Sequence, residues 1–229
     1  MKKLLISFII TISINCSFGQ KNEIVISLNS GLFSFSGKSA KDVSAINYDD
    51  KNNTGYTNSP WGSQNGLCYG LSINAKRVTK INLIFGMDLG YENLRSKISI
   101  DRVNAYAAVG QTFLNNNFIN LHPYIGYRLK FNKISFDLTG GLEGAWRLSA
   151  YDKGSAVAEN GTTYSISRDR REDIFDIRQR VQLSSNFNKF GVYMGYSNGL
   201  YNYLSGYVGV SSPEGYARLI RFGLTYKLK

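Results

Sequence analysis

Among 229 residues only two are cysteine and one is histidine, and acids are outnumbered by bases, 16 to 27. Two cysteines exclude a disulfide-stapled scaffold, and one His with two Cys falls short of a typical zinc ligand set. Charged residues are 19% of the chain and aromatics 14%, with 23 glycines, which excludes a solvated disordered polymer. After the N-terminal segment no run approaches about 18 consecutive apolar residues, so a membrane-spanning helix is excluded. Amphipathic helical periodicity is missing as well. The formal net charge of +11 invites a nucleic-acid partner. No basic stripe with interleaved aromatics supports one, and an exported chain does not meet nucleic acid.

Export is read from residues 1–19, MKKLLISFIITISINCSFG. Lys2 and Lys3 make a basic start, Leu4 to Ile14 an apolar stretch, and Ser17-Phe18-Gly19 a small-residue end before Gln20. That is the layout of a secretory signal peptide. The stretch is too short for a bilayer, which needs roughly 20 apolar residues. Cys16 as a lipoprotein site is disfavoured by the bulky polar Asn15 before it. The expected organisation is a signal peptide, 1–19, followed by one domain, 20–229. Cleavage leaves Cys68 as the single cysteine, so no internal disulfide can form.

What the rest of the chain has is period-two alternation. Ile81, Leu83, Phe85, Met87, Leu89 and Tyr91 share one face, against Asn82, Ile84, Gly86, Asp88, Gly90 and Glu92 on the other, where only Ile84 is apolar. The pattern recurs in Leu121, Ile125, Tyr127, Leu129 and Phe131 against His122, Gly126, Arg128 and Lys130. It returns in Ile134, Phe136, Leu138 and Leu142 against Asp137, Thr139, Gly141 and Glu143, and closes the chain with Phe222, Leu224, Tyr226 and Leu228. Eight strands are expected, at about 23–36, 66–78, 81–94, 118–131, 134–149, 174–187, 190–203 and 215–228. Short turns at Thr79-Lys80, Asn132-Lys133 and Asn188-Lys189 alternate with long polar connections at 37–65, 95–117, 150–173 and 204–214. This describes an all-β, eight-stranded antiparallel up-and-down barrel, whose closure leaves no free edge. Strands this long exceed the usual soluble length of about 5–6 residues and suit a tilted membrane crossing.

Alternation alone fits two barrels. A soluble lipocalin-like barrel turns its apolar face inward around a ligand, and a membrane barrel turns it outward to lipid. Three features favour the membrane. The polar face is studded with small residues (Gly70, Gly86, Gly90, Gly126, Gly141, Gly191, Gly195, Gly223), expected to leave room inside for long charged side chains. That face also carries both charge signs, Asp88, Glu92, Asp137 and Glu143 with Lys76, Arg128, Lys130, Arg147, Arg178, Arg180 and Arg221, which can compensate one another when enclosed. Finally, aromatics stand near both ends of the apolar face: Phe131, Phe187, Phe190 and Tyr226 by the short turns, Tyr91, Trp146 and Tyr196 towards the loops.

With these residues in view, the chain resembles the eight-stranded outer-membrane β-barrel proteins of Bacteroidota, the PorT-like group, and more distantly the OmpX and OmpA barrels. The resemblance spans about 20–229 and is carried by Phe18-Gly19-Gln20, FDLTGGLEGAWRLSA, FGVYMGYSNGLYNY and RLIRFGLTYKLK. It implies a bacterial outer-membrane location with both termini periplasmic and four long loops outside, lipid as the surrounding partner, and no cofactor. The last segment resembles the terminal-strand signal read by the barrel-insertion machinery, through Arg221, Gly223, Tyr226 and Leu228. Lys229 after the last apolar residue departs from that pattern.

Candidate chemistry is sparse. Glu143 and Arg147 fall four apart on one face, as do Asp88 and Glu92, and are read as parts of an interior ion-pair network filling a lumen without a substantial pore. An outer-membrane lipid enzyme would need a Ser–His pair facing lipid. His122 is expected to face inward, so no catalytic or metal-binding residue is assigned. Cys68 is expected to be an inert interior thiol. The run Ser167-Arg168-Asp169-Arg170-Arg171-Glu172-Asp173 is read as a solvated loop base with internal pairs. Two sequons, at Asn52 and Asn160, are chance matches in a bacterial envelope. The expected function is non-enzymatic: recognition of a protein or glycan at the surface, or support of envelope integrity or secretion. Tyr48, Tyr56, Trp61 and Tyr164 belong to a loop composition suited to adaptable contacts.

Overall fold

Residues 21–170, 174–205 and 212–229 are described by the computed structural model. The signal segment 1–19 lies outside these residues, as do Arg171, Glu172 and Asp173 of the charge run. Strands run in chain order β1 (Lys21–Ser36), β2 (Val43–Asp49), β3 (Thr54–Thr57), β4 (Gln64–Val78), β5 (Leu83–Val103) and β6 (Tyr106–Phe131). They continue with β7 (Ile134–Ala158), β8 (Thr163–Asp169), β9 (Phe175–Phe187), β10 (Phe190–Gly199) and β11 (Tyr216–Lys227). Eight of them close a ring by antiparallel pairing, β1–β4–β5–β6–β7–β9–β10–β11 and back to β1. Closure satisfies both edges of every barrel strand.

One end of the ring carries both ends of the described chain and the short turns. Asn82, Asn132 and Asn188 each take a left-handed φ of 51–64° there, a conformation Asn adopts more readily than other non-glycine residues. The segment Thr79–Asn82 forms the first turn, so β5 starts at Leu83 rather than at Ile81.

At the loop end the expected long connections are largely strand. The segment 95–117 is a continuous hairpin, β5 running into β6 through a tight turn at Asn104, and β7 runs to Ala158 before turning into β8. The reason is an inversion of facing. Along β5 the inward positions are polar at Asp88 and Glu92 and become apolar at Leu94, Ile98 and Ile100. The outward positions change from Phe85, Met87, Leu89 and Tyr91 to Asn93, Arg95, Lys97 and Ser99. β6 does the same between Ile119 and Asn117. A strand that exchanges its two faces loses the regular signal, and the Asn115–Asn117 run adds the look of a loop. The upper halves of β5, β6 and β7 join β2, β3 and β8 in a sheet of order β3-β2-β5-β6-β7-β8 standing beyond the ring. Its inner face buries Ile46, Ile98, Ile100, Val103, Ala108, Ala156, Tyr164 and Ile166.

Within the loop-end mouth of the ring sits a second apolar cluster, built on Phe33, Phe35, Trp61, Leu94, Phe118, Tyr203 and Leu219, with Cys68 and Ile174 among it. Phe35 meets Phe33, Trp61 and Tyr203 edge-on at 5.1–5.2 Å. Trp61 and Tyr164 are thus core residues, not exposed contacts. A large aromatic in a loop contributes most where it can be buried, and both loops fold back far enough to bury them.

Candidate functional site

The lumen is filled from the turn end upward by charge. Arg128 spends its guanidinium on two carboxylates, with Nε 2.6 Å and Nη2 2.7 Å from Asp137, and Nη1 2.9 Å and Nη2 2.8 Å from Glu23. Lys76 adds a bond of 2.7 Å to Asp137. Above this layer, three guanidiniums meet four carboxylates. Arg221 holds Glu92 through Nε and Nη2, and its Nη2 also lies 2.8 Å from Glu143. Arg178 donates to Glu143 at 3.0 Å and to Asp176 at 2.6 Å, and Arg180 donates to Glu143 at 3.1 Å and Asp88 at 3.2 Å. Arg221 also donates to the Ser197 hydroxyl, and the Tyr203 hydroxyl donates to Asp176 at 2.7 Å. Apart from Lys76, which is partly exposed, every one of these charged groups is buried. Such groups are tolerable only when paired and hydrogen-bonded.

A small polar cavity of about 30 Å³ separates the two layers, bordered by Asp88, Tyr124, Arg180 and Tyr193. The apolar cluster around Phe35 closes the lumen above, so the described side chains leave no continuous bore.

The expected network residues are placed as follows. Asp88, Glu92, Arg128, Asp137, Glu143, Arg178, Arg180 and Arg221 come together inside the wall. Lys130 does not: it is exposed at the turn-end mouth and makes no ion pair among the described residues. Two residues below Arg128, it has passed the sealed layer and is solvated. Arg147 is inward but does not meet Glu143. It bonds Asn116 and the Arg170 carbonyl, both at 3.4 Å. Residues four apart on a strand are about 13 Å apart, out of reach of a direct pair. Glu23 and Asp176 were missed, Glu23 because it begins a strand and Asp176 because it sits beside the loop boundary.

Glycine makes room for a charged chain at Gly70, whose Cβ would crowd Glu92, and serves a different need at two other positions. A Cβ on Gly86 would collide with the Tyr124 ring, and one on Gly223 would collide with the Tyr193 ring. Those two glycines make room for inward aromatics rather than for charged chains. His122 is buried, stacks on Tyr124 at 5.3 Å, and its Nε2 has no hydrogen-bond partner among the described residues.

Outside, the wall is apolar. Leu28, Phe85, Leu138, Val192 and Leu224 are each 50–65% exposed. A soluble barrel holding an apolar ligand requires the reverse arrangement, so the lipocalin-like alternative is overturned. Register aligns aromatics into two bands. Tyr91, Ile119, Trp146 and Phe175 are consecutive cross-strand neighbours near the loop end. Phe131, Ile134, Phe187, Phe190 and Tyr226 are the same at the turn end. On β7 the bands are the twelve residues from Ile134 to Trp146 apart, or about 28–33 Å in height at the usual barrel tilt. The terminal-strand residues divide by face: Arg221 and Gly223 point inward, while Tyr226 and Leu228 stand outward, Tyr226 against Phe190 at 5.2 Å.

Beyond the loop-end band, the upper sheet carries an open cleft of about 660 Å³ between the β2–β3 hairpin and β8, bordered by Tyr48, Tyr56, Asn104 and Arg168. Arg168 lies over the Tyr56 ring at 4.5 Å and Arg170 at 5.6 Å. The hairpin is pinned from within by Asp152, which accepts from the Thr57 N–H and hydroxyl at 2.9 Å and from Arg170 at 3.0 Å.

The architecture is a closed eight-stranded antiparallel barrel with an apolar exterior, a charged sealed interior and a raised sheet at one end. No protein-family model matches the chain, and no curated protein matches it. Solved structures do. The attachment invasion locus protein Ail of Yersinia pestis, crystallised with the heparin analogue sucrose octasulfate, is 11% identical, over 91% of this chain and 99% of that one, with a TM-score of 0.38. Neisserial surface protein A is 9% identical over 90% and 97%, with a TM-score of 0.36. The translocator domain of the autotransporter NalP from Neisseria meningitidis is 13% identical over 98% and 95%, with a TM-score of 0.32.

Proposed function

We propose that this chain is an integral outer-membrane β-barrel protein of the PorT-like kind it resembles, non-enzymatic and non-conducting, which holds a rigid sheet outside the cell for contact with a surface partner. The observation that carries the membrane reading is the outward apolar wall between two aromatic bands. Its height matches an apolar belt of about 25 Å, and its area far exceeds the few hundred Å² of apolar patch a soluble monomer usually shows. The inward charges, paired across the lumen, complete the inside-out arrangement.

In this orientation the turns and termini face the periplasm. Lipid is the first partner. Just beyond the Tyr91–Trp146 band, Lys97, Phe113 and Lys153 are direct cross-strand neighbours, and Arg95 lies over the Phe113 ring at 3.7 Å. Three cations four to seven residues above the aromatic band suit the phosphates of the outer leaflet. The surface partner, protein or glycan, would meet the cleft beside Tyr48, Tyr56 and Arg168, held in place by the sealed barrel below. The terminal strand, with Tyr226 and Leu228 outward, supports delivery by the barrel-insertion machinery.

Membrane fractionation tests this. The protein should stay with outer membranes through carbonate and high salt, and release by either would end the membrane reading. Protease added to intact cells should cut the Asp49–Thr54 hairpin tip and spare the turns at Asn132 and Asn188. The opposite pattern would reverse the orientation.

A further inference from the structure

The turn-end mouth of the barrel holds an excess of positive charge that the sealed lumen does not use. It is a concavity of about 200 Å³ whose floor is the Glu23–Arg128–Lys76 layer. In that layer Glu23 and Asp137 already balance Arg128 and Lys76. Five further lysines border the same space: Lys21, Lys130, Lys133, Lys189 and Lys227. Among the described residues Lys21 and Lys227 each pair only with Glu23, at 3.6 Å, a carboxylate whose two oxygens are taken by Arg128 at 2.8 and 2.9 Å. Lys130, Lys133 and Lys189 make no ion pair among the described residues. They come from different places, Lys130 from the end of β6 and Lys133 and Lys189 from the two tight turns, and the closed ring brings them together.

We propose that this mouth is a binding site for a small phosphate-type oxyanion. Like charges gathered in a concavity with protein walls repel one another and focus a positive potential into it. Polar groups make up most of the lining, with Val25 and Ile134 as its apolar part and no aromatic ring, which favours a charged ligand over an aromatic one. It offers many donors: the lysine ammoniums, the hydroxyls of Ser135 and Thr225, and the Asn186 Nδ2, which has no hydrogen-bond partner among the described residues. A phosphate group, with three terminal oxygens and up to two charges, uses more of these donors than a carboxylate does. The charge layer behind blocks passage, so the mouth is a blind site that retains its ligand rather than a path that conducts it. This inference depends on the closed ring and its register, not on the recognition role proposed for the opposite end.

The experiment uses the full chain folded in a phosphate-free non-ionic detergent, titrated with inorganic phosphate at low ionic strength by calorimetry and ³¹P NMR. Saturable binding of one phosphate per chain is expected, weakening as sodium chloride is raised. The combined substitution Lys130→Gln, Lys133→Gln and Lys189→Gln should weaken it by about tenfold or more. Lys38→Gln with Lys51→Gln, at the opposite end, should leave it unchanged. These lysines are exposed, and retained heat-modifiable gel mobility shows that each variant is folded. Absence of saturable binding, or equal affinity in the mouth variant, would overturn the site. Repeating the titration in nanodiscs separates two sources of the same chemistry. Phosphate affinity lowered by phosphatidylglycerol relative to phosphatidylcholine identifies a lipid headgroup as the occupant, and equal affinity identifies a soluble phosphate compound.

Discussion

At the scale of single residues, the decisive groups are those whose charge is buried. Glu143 accepts from Arg178, Arg180 and Arg221 at once. Glu143→Ala strips a partner from three enclosed guanidiniums and should cost about 3–5 kcal/mol, the usual penalty for leaving buried charge unpaired. Lys130→Gln, on an exposed side chain, should stay within about 0.5 kcal/mol. Urea titration of the refolded protein in micelles compares them, and equal effects would mean that the lumen network does not hold the barrel. Gly223→Ala should destabilise by about 1–3 kcal/mol through overpacking against the Tyr193 ring. In a Tyr193→Ser background much of that cost should vanish, and a cycle with no coupling would refute the ring contact. At the hairpin tip, the Asn52 side chain and the Lys51 N–H hold the Asp49 carboxyl below its ordinary value of 3.8. A lowered folded value means the turn gains from Asp49 above that pH and loses the gain as acid protonates the folded carboxylate. NMR titration should place Asp49 below the ordinary aspartate value, and Asp49→Asn should remove the acid sensitivity of the tip.

At the scale of elements, strand alternation was legible wherever one face stayed apolar throughout. The short turns at Asn132 and Asn188 were legible as well, because two residues between alternating runs leave room for little else. Upper β5, upper β6 and the end of β7 were not legible as strand. Their side chains pass from a lipid-facing wall to a water-facing sheet, and the apolar positions change face between Tyr91 and Leu94. The β2–β3 hairpin was hidden because its burial depends on a distant residue, Asp152 on β7. Asp152→Ala should release the hairpin, so that limited proteolysis cuts between 42 and 58 several-fold faster while the barrel core survives. Unchanged cleavage would show that the inner face of the upper sheet suffices. On the wall, Leu138→Arg near the middle of the belt should cost about 2–4 kcal/mol in a bilayer. Lys153→Arg above it should cost nothing measurable. Equal tolerance at both positions would contradict a lipid-facing wall.

At the scale of the molecule, the ring and its contents form one device. The closed wall has no edge to pair with another chain, the charge layers and the aromatic cluster fill its bore, and the raised sheet grows directly out of three wall strands. Planar-bilayer recordings of the purified protein should therefore show no steady conductance, and a stable open level would refute the sealed lumen. The residues themselves already determine the class of architecture: period two demands strands, alternating connection lengths demand a meander, and charges of both signs on one face demand enclosure. Which charge meets which was decided only by closure. Glu143 and Arg147 share a strand yet stand too far apart, while Glu92 and Arg221, or Glu23 and Arg128, are distant in sequence and face each other across the bore. Local spacing controls the facing of a side chain, but its partner depends on the stagger of eight strands around a ring, a quantity that no single segment contains.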